Sequence, residues 1–573
     1  MAVEIRRRPA GPPLAFDNDL HPVLRRVYAA RGIVQPQDLD LSLETLLPVR
    51  TLERVEEAAE LLAAHRSGRV LVVGDFDADG ATGTALIVRA LRALKFEHAD
   101  FLVPNRFQFG YGLTPGIVAL AAQRAPSLLV TVDNGASSIE GVEAAHAFGI
   151  PVLITDHHLP GRVLPAAEVI VNPNLERSAF ESRALAGVGV AFYVIAALAR
   201  RLGRDDFRPA ELLDLVALGT VADLVALDRN NRVLVAQGLR RIRAGRCVPG
   251  MRALVEAAGR RLDDLTASDL GYLVAPRLNA AGRLADMSVG IACLLADEPA
   301  RAGALAAQLG RLNDERREIE QRMQSEALEL AQAVRFDAAG SEAPGVCLFD
   351  ERWHQGVVGL VAGRIKDRLH RPVVAFARAD GGSLRGSARS VSGIHIRDVL
   401  DGVAVRHPGL IEKFGGHAMA AGMTLAEANL EQFRAAFARE VAARAGADLL
   451  TGVIHSDGEL LPAELCLGTA RALREAGPWG QGFPEPVFDG DFIVADARVV
   501  GAKHLRLTLR EGSPGRDGAG ASCLEAIAFG HAGGGIDAGI HPGAMLRLAY
   551  RLQINDYNGA QSAQLNCQHL QVL

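Results

Sequence analysis

Apolar and polar positions along the chain change period several times, and each change predicts an element. Between residues 69 and about 172, short apolar runs alternate with segments of helical period: RVLVV, ATGTALIVRALRAL, DFLVP, LLVTVD, SSIEGVEAAHAFG, PVLITD and EVIVN. Strands of that length separated by helices predict β-α-β units, hence a parallel sheet with helices on both faces. Residues 1–68 predict one or two helices, with the acid-rich stretch from Leu52 to Ala64 leading into the first strand. From Ala184 to Ala199 polar groups nearly vanish between Arg183 and Arg200. At 16 residues, with Gly187 and Gly189 inside it, that run falls short of the roughly 20 a bilayer requires and predicts a buried core helix.

Residues 186–297 continue as helices, and Pro299 to Val334 has few breakers and many charges (NDERREIEQRMQSEALELAQ). This predicts a long, largely exposed helix between two domains, without the sustained heptad of a coiled coil. From about 344 a second, smaller α/β unit follows: GVCLFD, a helix over Gly356 to Leu369, strands PVVAFA and SLRGSAR, the Gly-rich FGGHAMAAG and a helical stretch from Ala426 to Ala445. Residues 453–573 turn β-like, with short runs such as DFIVADARVV and LRLTL between Gly-rich turns, which predicts a small β-barrel of the OB type. The expected divisions are an N-terminal helical segment (1–68), a parallel-sheet catalytic domain (69–297), a connecting helix (298–343), a substrate-binding α/β domain (344–447) and a nucleic-acid-binding barrel (448–573).

Composition narrows the class. With 573 residues, 49% hydrophobic and 23% charged, the chain suits about three or four globular domains rather than long disorder. Its six cysteines are scattered with no C-x-x-C pair, which predicts reduced thiols in the cytoplasm rather than a disulfide frame or a zinc site. MAVEIRRRPAGPP carries basic residues with no apolar run behind them, so no secretory signal is expected. A net charge of −5 argues against a basic nucleic-acid coat but leaves room for a local basic groove. Arg240, Arg241, Arg243 and Arg246 fit such a groove or simply a solvated helix face.

In parallel α/β sheets, ligands gather at the carboxyl ends of the strands. Those ends hold Asp75, Asp77 and Asp79 after the first strand, Asp133 after LLVTV, and Asp156, His157 and His158 after VLIT. Acids at alternate positions of an extended segment share a face and repel unless cations lie between them. D-x-D-x-D-G also opens a calcium loop, but the bidentate Glu of its twelfth position is replaced by Leu86 and a strand, not a helix, precedes it. A solvated acidic turn would leave the other two strand ends unexplained. Asp77, Asp79, Asp133, His157 and Asp223 of GTVAD suit two Mg²⁺ or Mn²⁺ ions about 4 Å apart, a set fit for phosphate-ester hydrolysis. His158 would contact a phosphoryl oxygen or assist proton transfer, and Asp156 would orient an imidazole. PNRFQFGYG interleaves Arg106 with Phe107, Phe109 and Tyr111, either a nucleic-acid contact or a core-packing loop. RGSARS and FGGHA offer hydroxyls, Arg389 and close backbone approach for phosphate.

Taken together, GDFDADG, PNR, TVDNG, DHH, LAGVGVAF, GTVADLV, PRLNAAGR, WHQGVVGLVAGR, GSARS and FGGHAMAAG resemble the DHH phosphoesterase superfamily, and more closely its RecJ-type single-strand-specific DNA exonucleases. The resemblance implies metal-dependent hydrolysis of single-stranded DNA from its 5′ end to 5′-mononucleotides, in recombination and repair. It implies Asp77, Asp79, Asp133, His157 and Asp223 as metal ligands, and Asp75, Asp156 and His158 as catalytic support. Arg106, Arg277, Asn279, Arg283, Ser387, Arg389, Gly416 and His417 would handle the DNA. A single-strand-binding protein and a RecQ-type helicase are the partners it suggests, with no membrane and a monomeric state. Two other readings compete: a DHH phosphatase of small substrates such as pyrophosphate, cyclic dinucleotides or short oligonucleotides, and a non-catalytic DHH-like DNA-binding protein. The first has no use for the extra barrel; the second predicts lost ligands, and none is lost.

Overall fold

A computed structural model describes all residues except 1–2, 15, 17–19, 106–107, 205, 334–342, 502–503, 512–522, 532–538 and 558. The chain forms two compact units, one of Met1–Glu4 with Arg311–Ile454, the other of Ile5–Gly310 with His455–Leu573.

The larger unit holds the parallel sheet. Its strands are β1 (Arg69–Gly74), β2 (His98–Leu102), β3 (Leu128–Val132), β4 (Val152–Thr155) and β5 (Val169–Val171), in the order β2-β1-β3-β4-β5, all parallel. β3, β4 and β5 are buried along their whole length, as unbroken Leu, Ile and Val runs require when helices cover both faces. The chain order reverses at β1, whose neighbours are β2 and β3, so a crevice opens at the carboxyl ends of β1 and β3.

Against this sheet pack α1 (Ala78–Ala93) and α2 (Gly187–Arg201); α3 (Leu213–Ala222) packs on α1 and α2, α4 (Arg229–Arg243) on α3, and α5 (Ala275–Leu284) on α1. The apolar run at Ala184 to Ala199 is α2, buried from Gly187 to Ile195 without interruption. Among the described residues no helix is long and apolar enough to cross a membrane. Glycines set the spacing: a Cβ on Gly83 of α1 would lie 2.5 Å from Val132 Cγ1, and one on Gly219 of α3 would lie 2.3 Å from Thr82 Oγ1.

The long helix is α6 (Pro299–Ala333), 35 residues. It departs from the largely exposed helix expected, because Ala302, Ala306, Leu309, Asn313, Arg316, Glu320, Met323, Ala327 and Ala331 form a buried stripe recurring every three or four residues. Its polar members hide the repeat from a hydrophobicity count. They bond to one another: Arg316 Nη2 donates to Asn313 Oδ1 (2.7 Å), its Nη1 to Glu320, and Arg364 Nε to Glu320 Oε1 (3.2 Å).

In the smaller unit, β6 (Val346–Phe349), β7 (Val373–Arg378), β8 (Ser383–Arg389), β9 (Lys413–Gly416) and β10 (Ala420–Ala426) form a mixed sheet in the order β9-β10-β8-β7-β6. The Gly-rich FGGHAMAAG is thus a hairpin, with Gly415 opposite Gly422. In the larger unit β11 (Phe488–Val500), β12 (His504–Glu511), β13 (Leu524–Ala528), β14 (Met545–Tyr557) and β15 (Ala560–Val572) close a barrel in the order β11-β12-β13-β15-β14, with β13 and β15 parallel. That is the five-stranded OB arrangement. A bidentate pair from buried Arg31 to Asp457 (2.7 and 3.0 Å) and Arg232 stacked 4.3 Å over Phe483 tie the barrel region to the N-terminal and catalytic helices.

Candidate metal centre

The acids arrive by different local routes. Asp75 prolongs the β1 ladder, its N–H donating to Val132 O at 3.2 Å. Asp77 is extended and caps α1, its Oδ1 accepting from Gly80 N at 3.0 Å. The shared extended face expected for all three acids therefore ends at Asp77, because the chain is helical from Ala78 onward. Asp79, in the first turn of α1 and 1% exposed, instead reaches across to α2, accepting from Gly187 N (2.6 Å) and Val188 N (2.9 Å). A carboxylate at that helix N-terminus meets unpaired N–H groups and a favourable dipole.

After β3, Asp133 has a left-handed backbone (φ 62°), an unusual conformation for a residue with a Cβ. Neighbours hold it there: Asp133 N donates to Thr155 O (3.0 Å), and Asn134 Nδ2 donates to Val73 O (3.1 Å) and Val132 O (2.8 Å). After β4, Asp156 organises the two histidines. Its Oδ1 accepts from His157 N (2.7 Å), His158 N (3.0 Å) and His158 Nδ1 (2.8 Å), and its Oδ2 accepts from Ala136 N (2.8 Å).

These routes converge. His157 Nε2 lies 3.0 Å from Asp133 Oδ1 and 3.4 Å from Asp223 Oδ2, Asp223 standing at the carboxyl end of α3. Three overlapping sets, Asp75/Asp77/Asp133, Asp79/His157/Asp223 and Asp133/His157/His158, each place their ligand atoms within 4.8 Å of one another. Asp133 and His157 are each common to two sets, so the three sets form one continuous cluster. Oxygen donors with a lone or paired imidazole match Mg²⁺ and Mn²⁺ better than softer ions.

Electrostatics separate two classes of acid. Burial, and then repulsion from Asp77, pushes Asp79 up to about 7; burial, and then Asp79 and Asp77, pushes Asp223 up to about 9 and Asp133 well above the carboxylate range. Such a cluster stays ionised only beside a cation. Asp156 behaves oppositely: burial works against its charge, yet the hydrogen bond and charge of His158 hold it below its ordinary value. Burial likewise opposes the His158 charge, but Asp156 raises it to about 9. Asp156 and His158 are thus an ion pair beside a metal-ready cluster.

All eight metal-site and catalytic expectations therefore meet in one place. Of the DNA-handling set, Arg106 lies outside the described residues. Asn279 Oδ1 accepts from Ala78 N (2.8 Å), fixing the acid turn from behind, and a Cβ on Gly282 would lie 1.8 Å from Phe76 O. Arg277 is buried and donates from Nη2 to Ala257 O (2.9 Å) and from Nη1 to Leu273 O, while Arg283 is half-buried on the same helix. Ser387, Arg389, Gly416 and His417 belong to the other unit. There Arg389 Nη1 donates to Ser387 Oγ (2.9 Å), and His417 N donates to Ala420 O (2.8 Å) in the β9–β10 turn, where Gly416 has φ 147°.

Sequence reasoning missed two anchors. Asn172 Nδ2 donates to His158 O (2.8 Å) and Asn174 Nδ2 to His157 O (2.6 Å), pinning the histidine backbone from the end of β5. Applying the strand-end rule to EVIVN as well would have found them. Gly187 was read only as part of the apolar run and of the LAGVGVAF motif, yet a Cβ there would lie 2.6 Å from Asp133 Cβ. Gly187→Ala is expected to displace Asp133 and weaken Mn²⁺ binding about 10- to 100-fold, the range for disturbing a ligand's supports, as read by calorimetric titration; unchanged affinity would refute this.

Similarity to known proteins agrees with the geometry. Residues 69–220 match the DHH family N-terminal domain, 342–443 the DHHA1 domain and 456–569 the RecJ OB domain. A protein of Dickeya dadantii (strain 3937) named single-stranded-DNA-specific exonuclease RecJ is 50% identical over 585 residues, spanning 100% of this chain and 99% of its own. The chain belongs to the RecJ family. Crystal structures of RecJ from Thermus thermophilus share the fold: the complex with Mn²⁺ has a TM-score of 0.82 at 31% identity, covering 99% of this chain and 79% of that one. The complex with Mg²⁺ has a TM-score of 0.76 at 30% identity, covering 99% and 78%. The acids and imidazoles gathered here are therefore found within a RecJ fold.

Proposed function

We propose that the chain is a metal-dependent exonuclease that digests single-stranded DNA from its 5′ end to 5′-mononucleotides in recombination and repair. The convergence of Asp77, Asp79, Asp133, His157 and Asp223, within a chain half identical to a named single-stranded-DNA-specific exonuclease, carries this reading. These five residues would hold two divalent cations, Mg²⁺ or Mn²⁺. When bound, the cations supply an activated water and neutralise the phosphoryl charge. Asp75 adds a further carboxylate at the edge of the cluster. His158, kept protonated by Asp156, donates a hydrogen bond to a phosphoryl oxygen or the leaving oxygen. Asn279 serves by holding the Asp77–Asp79 turn. In the smaller unit Arg389 and Ser387 bind a phosphate, helped by Gly416 and His417; in the larger unit Arg106, Arg277 and Arg283 handle the DNA.

The five divisions at 68, 297, 343 and 447 stand as the proposed domains, with the barrel as the nucleic-acid-binding one. The scattered cysteines support work in the cytoplasm, and the family resemblance supports a single-strand-binding protein and a RecQ-type helicase as partners of a monomer. The test is a digestion of strands labelled at either end, a blunt duplex and a dinucleotide, with EDTA, Mg²⁺ or Mn²⁺. A 5′ label is expected to leave at once as a mononucleotide, and a 3′ label only late, in either metal and never in EDTA. The reverse order, equal digestion of duplex, or a preference for the dinucleotide would overturn the proposal.

A further inference from the structure

We propose that Asn172 and Asn174 are positioning residues that divide the histidine pair between them, Asn174 setting cation affinity through His157 and Asn172 setting the rate of the chemical step through His158. The proposal rests on the nuclease reading above and names the residues that fix its two imidazoles.

His157 and His158 follow the end of β4 and stand outside helix and strand, so no ladder sets their backbone. Side chains do so instead. Asp156 Oδ1 accepts from both N–H groups (2.7 and 3.0 Å), Asn174 Nδ2 donates to His157 O (2.6 Å) and Asn172 Nδ2 donates to His158 O (2.8 Å). Three side chains thus hold all four backbone polar groups of the dipeptide, a part that a sheet or helix would otherwise play. The two asparagines act as one clamp. They stand just beyond β5, on either side of Pro173, whose ring fixes its own φ. Asn172 Oδ1 accepts from Asn174 N (2.8 Å) and Asn172 O from Leu175 N (3.3 Å), so Asn172, fully buried, also sets the place of Asn174.

Each acceptor is a carbonyl and needs an N–H donor; an ionised carboxylate has none and would add charge beside a cluster whose anions already repel. The two contacts lead to different groups. His157 points into the cluster, its Nε2 3.0 Å from Asp133 Oδ1 and 3.4 Å from Asp223 Oδ2, so whatever moves its backbone moves a ligand. His158 Nδ1 instead meets Asp156 Oδ1 at 2.8 Å, and this imidazole is the one assigned above to a phosphoryl or leaving oxygen. Support of a ligand acts on affinity for the cation, whereas placement of a proton donor acts on turnover once cation and strand are both bound.

The variants Asn174→Ala, Asn174→Asp, Asn172→Ala and Asn172→Asp are titrated with Mn²⁺ by calorimetry and then assayed on a 5′-labelled strand. Both Asn174 variants are expected to bind Mn²⁺ about 10- to 100-fold more weakly, the range for disturbing a ligand's supports. Added charge by itself would attract the cation, so a loss in Asn174→Asp as well marks the missing donor. Their kcat should return as Mn²⁺ is raised to saturation. Asn172→Asp keeps the acceptor for Asn174 N and loses the donor to His158 O, so it should bind Mn²⁺ no more weakly than the wild type. Its kcat at saturating Mn²⁺ should fall about 10- to 100-fold and stay low on further addition, since a small misplacement of a reacting group costs that much. Asn172→Ala loses both bonds and should show both effects. KM for the strand should hold in every variant. Unchanged Mn²⁺ affinity in the Asn174 variants, or wild-type kcat in Asn172→Asp at saturating Mn²⁺, would overturn the proposal. Equal losses of affinity and kcat in all the variants would do the same, since that is what a merely structural loop predicts. Thermal melts in EDTA identify a variant that does not fold, and the other substitution at that position then decides. A wild type that binds Mn²⁺ but digests no strand would overturn the nuclease reading, and the Asn172 assignment with it.

Discussion

Asp133→Asn is expected to abolish strand digestion while raising the melting temperature of the metal-free protein. The substitution keeps the shape of the side chain and removes its charge. Asp133 belongs to both the Asp75/Asp77 set and the His157/His158 set, so its loss weakens both sets at once. Removing one preorganised group from a reacting centre costs about 10²- to 10³-fold in kcat, and a ligand shared by two sets should cost at least the upper figure. Stability moves the other way. Burial and repulsion from Asp79 and Asp77 raise the Asp133 carboxyl well above its ordinary value of 3.8. Folding at neutral pH without metal must therefore either protonate it or bury an opposed charge, and asparagine does neither. A gain of several degrees follows from relief worth a few kcal/mol. Digestion of a 5′-labelled strand and a thermal melt in EDTA read the two effects. Retained turnover, or a melting temperature below that of the wild type, would contradict the role given to Asp133.

Much of this site could be read from residues because the carboxyl ends of parallel strands are defined by hydrophobic pattern alone. Asp75, Asp133, Asp156 and the two histidines needed only the end of an apolar run and a residue type able to ligate. Asp223 follows a helix, and the GTVAD resemblance, not the sheet rule, brought it into the set. The actual path of Asp79 was not legible. Its place depends on the α2 N-terminus at Gly187 and Val188, a partner over a hundred positions away that no local period reveals. Asn172 and Asn174 were passed over for a related reason, since side-chain bonds to backbone leave no repeat in the sequence. The α6 stripe was hidden by its own chemistry: Arg316 bonds to both Asn313 and Glu320, so burial there does not require apolar residues. Gly415 and Gly422 disguised a hairpin because glycine carries no strand propensity. The barrel was legible because its long strands alternate faces between clear turns.

Without metal, the protein should become less stable as pH rises between about 5 and 9, and excess Mn²⁺ should remove or invert that slope. Asp79, Asp133 and Asp223 have folded-state values above the ordinary 3.8, Asp79 at about 7 and Asp223 at about 9. Above pH 4 the unfolded chain releases these protons while the folded chain retains them, so the folded state binds more protons and each step up in pH favours unfolding. The contribution of Asp79 is spent near its folded value of about 7, and that of Asp223 near about 9. His158, raised to about 9, acts in the same direction, since its stabilisation is lost as pH climbs through that value. Asp156, held low, contributes above its unfolded value and loses that contribution only at strongly acid pH. Cation binding requires the ligands as anions, so it expels the retained protons, and affinity then grows as they become easier to remove. Melting curves in EDTA and in Mn²⁺ across the range, on wild type and Asp133→Asn, separate this cluster from the chain's other titrations. The variant should show a shallower fall in EDTA and a smaller gain from Mn²⁺. Parallel curves for the two proteins in EDTA, or a wild-type melting temperature that climbs with pH in the absence of metal, would mean that the carboxylates do not repel one another as their packing requires.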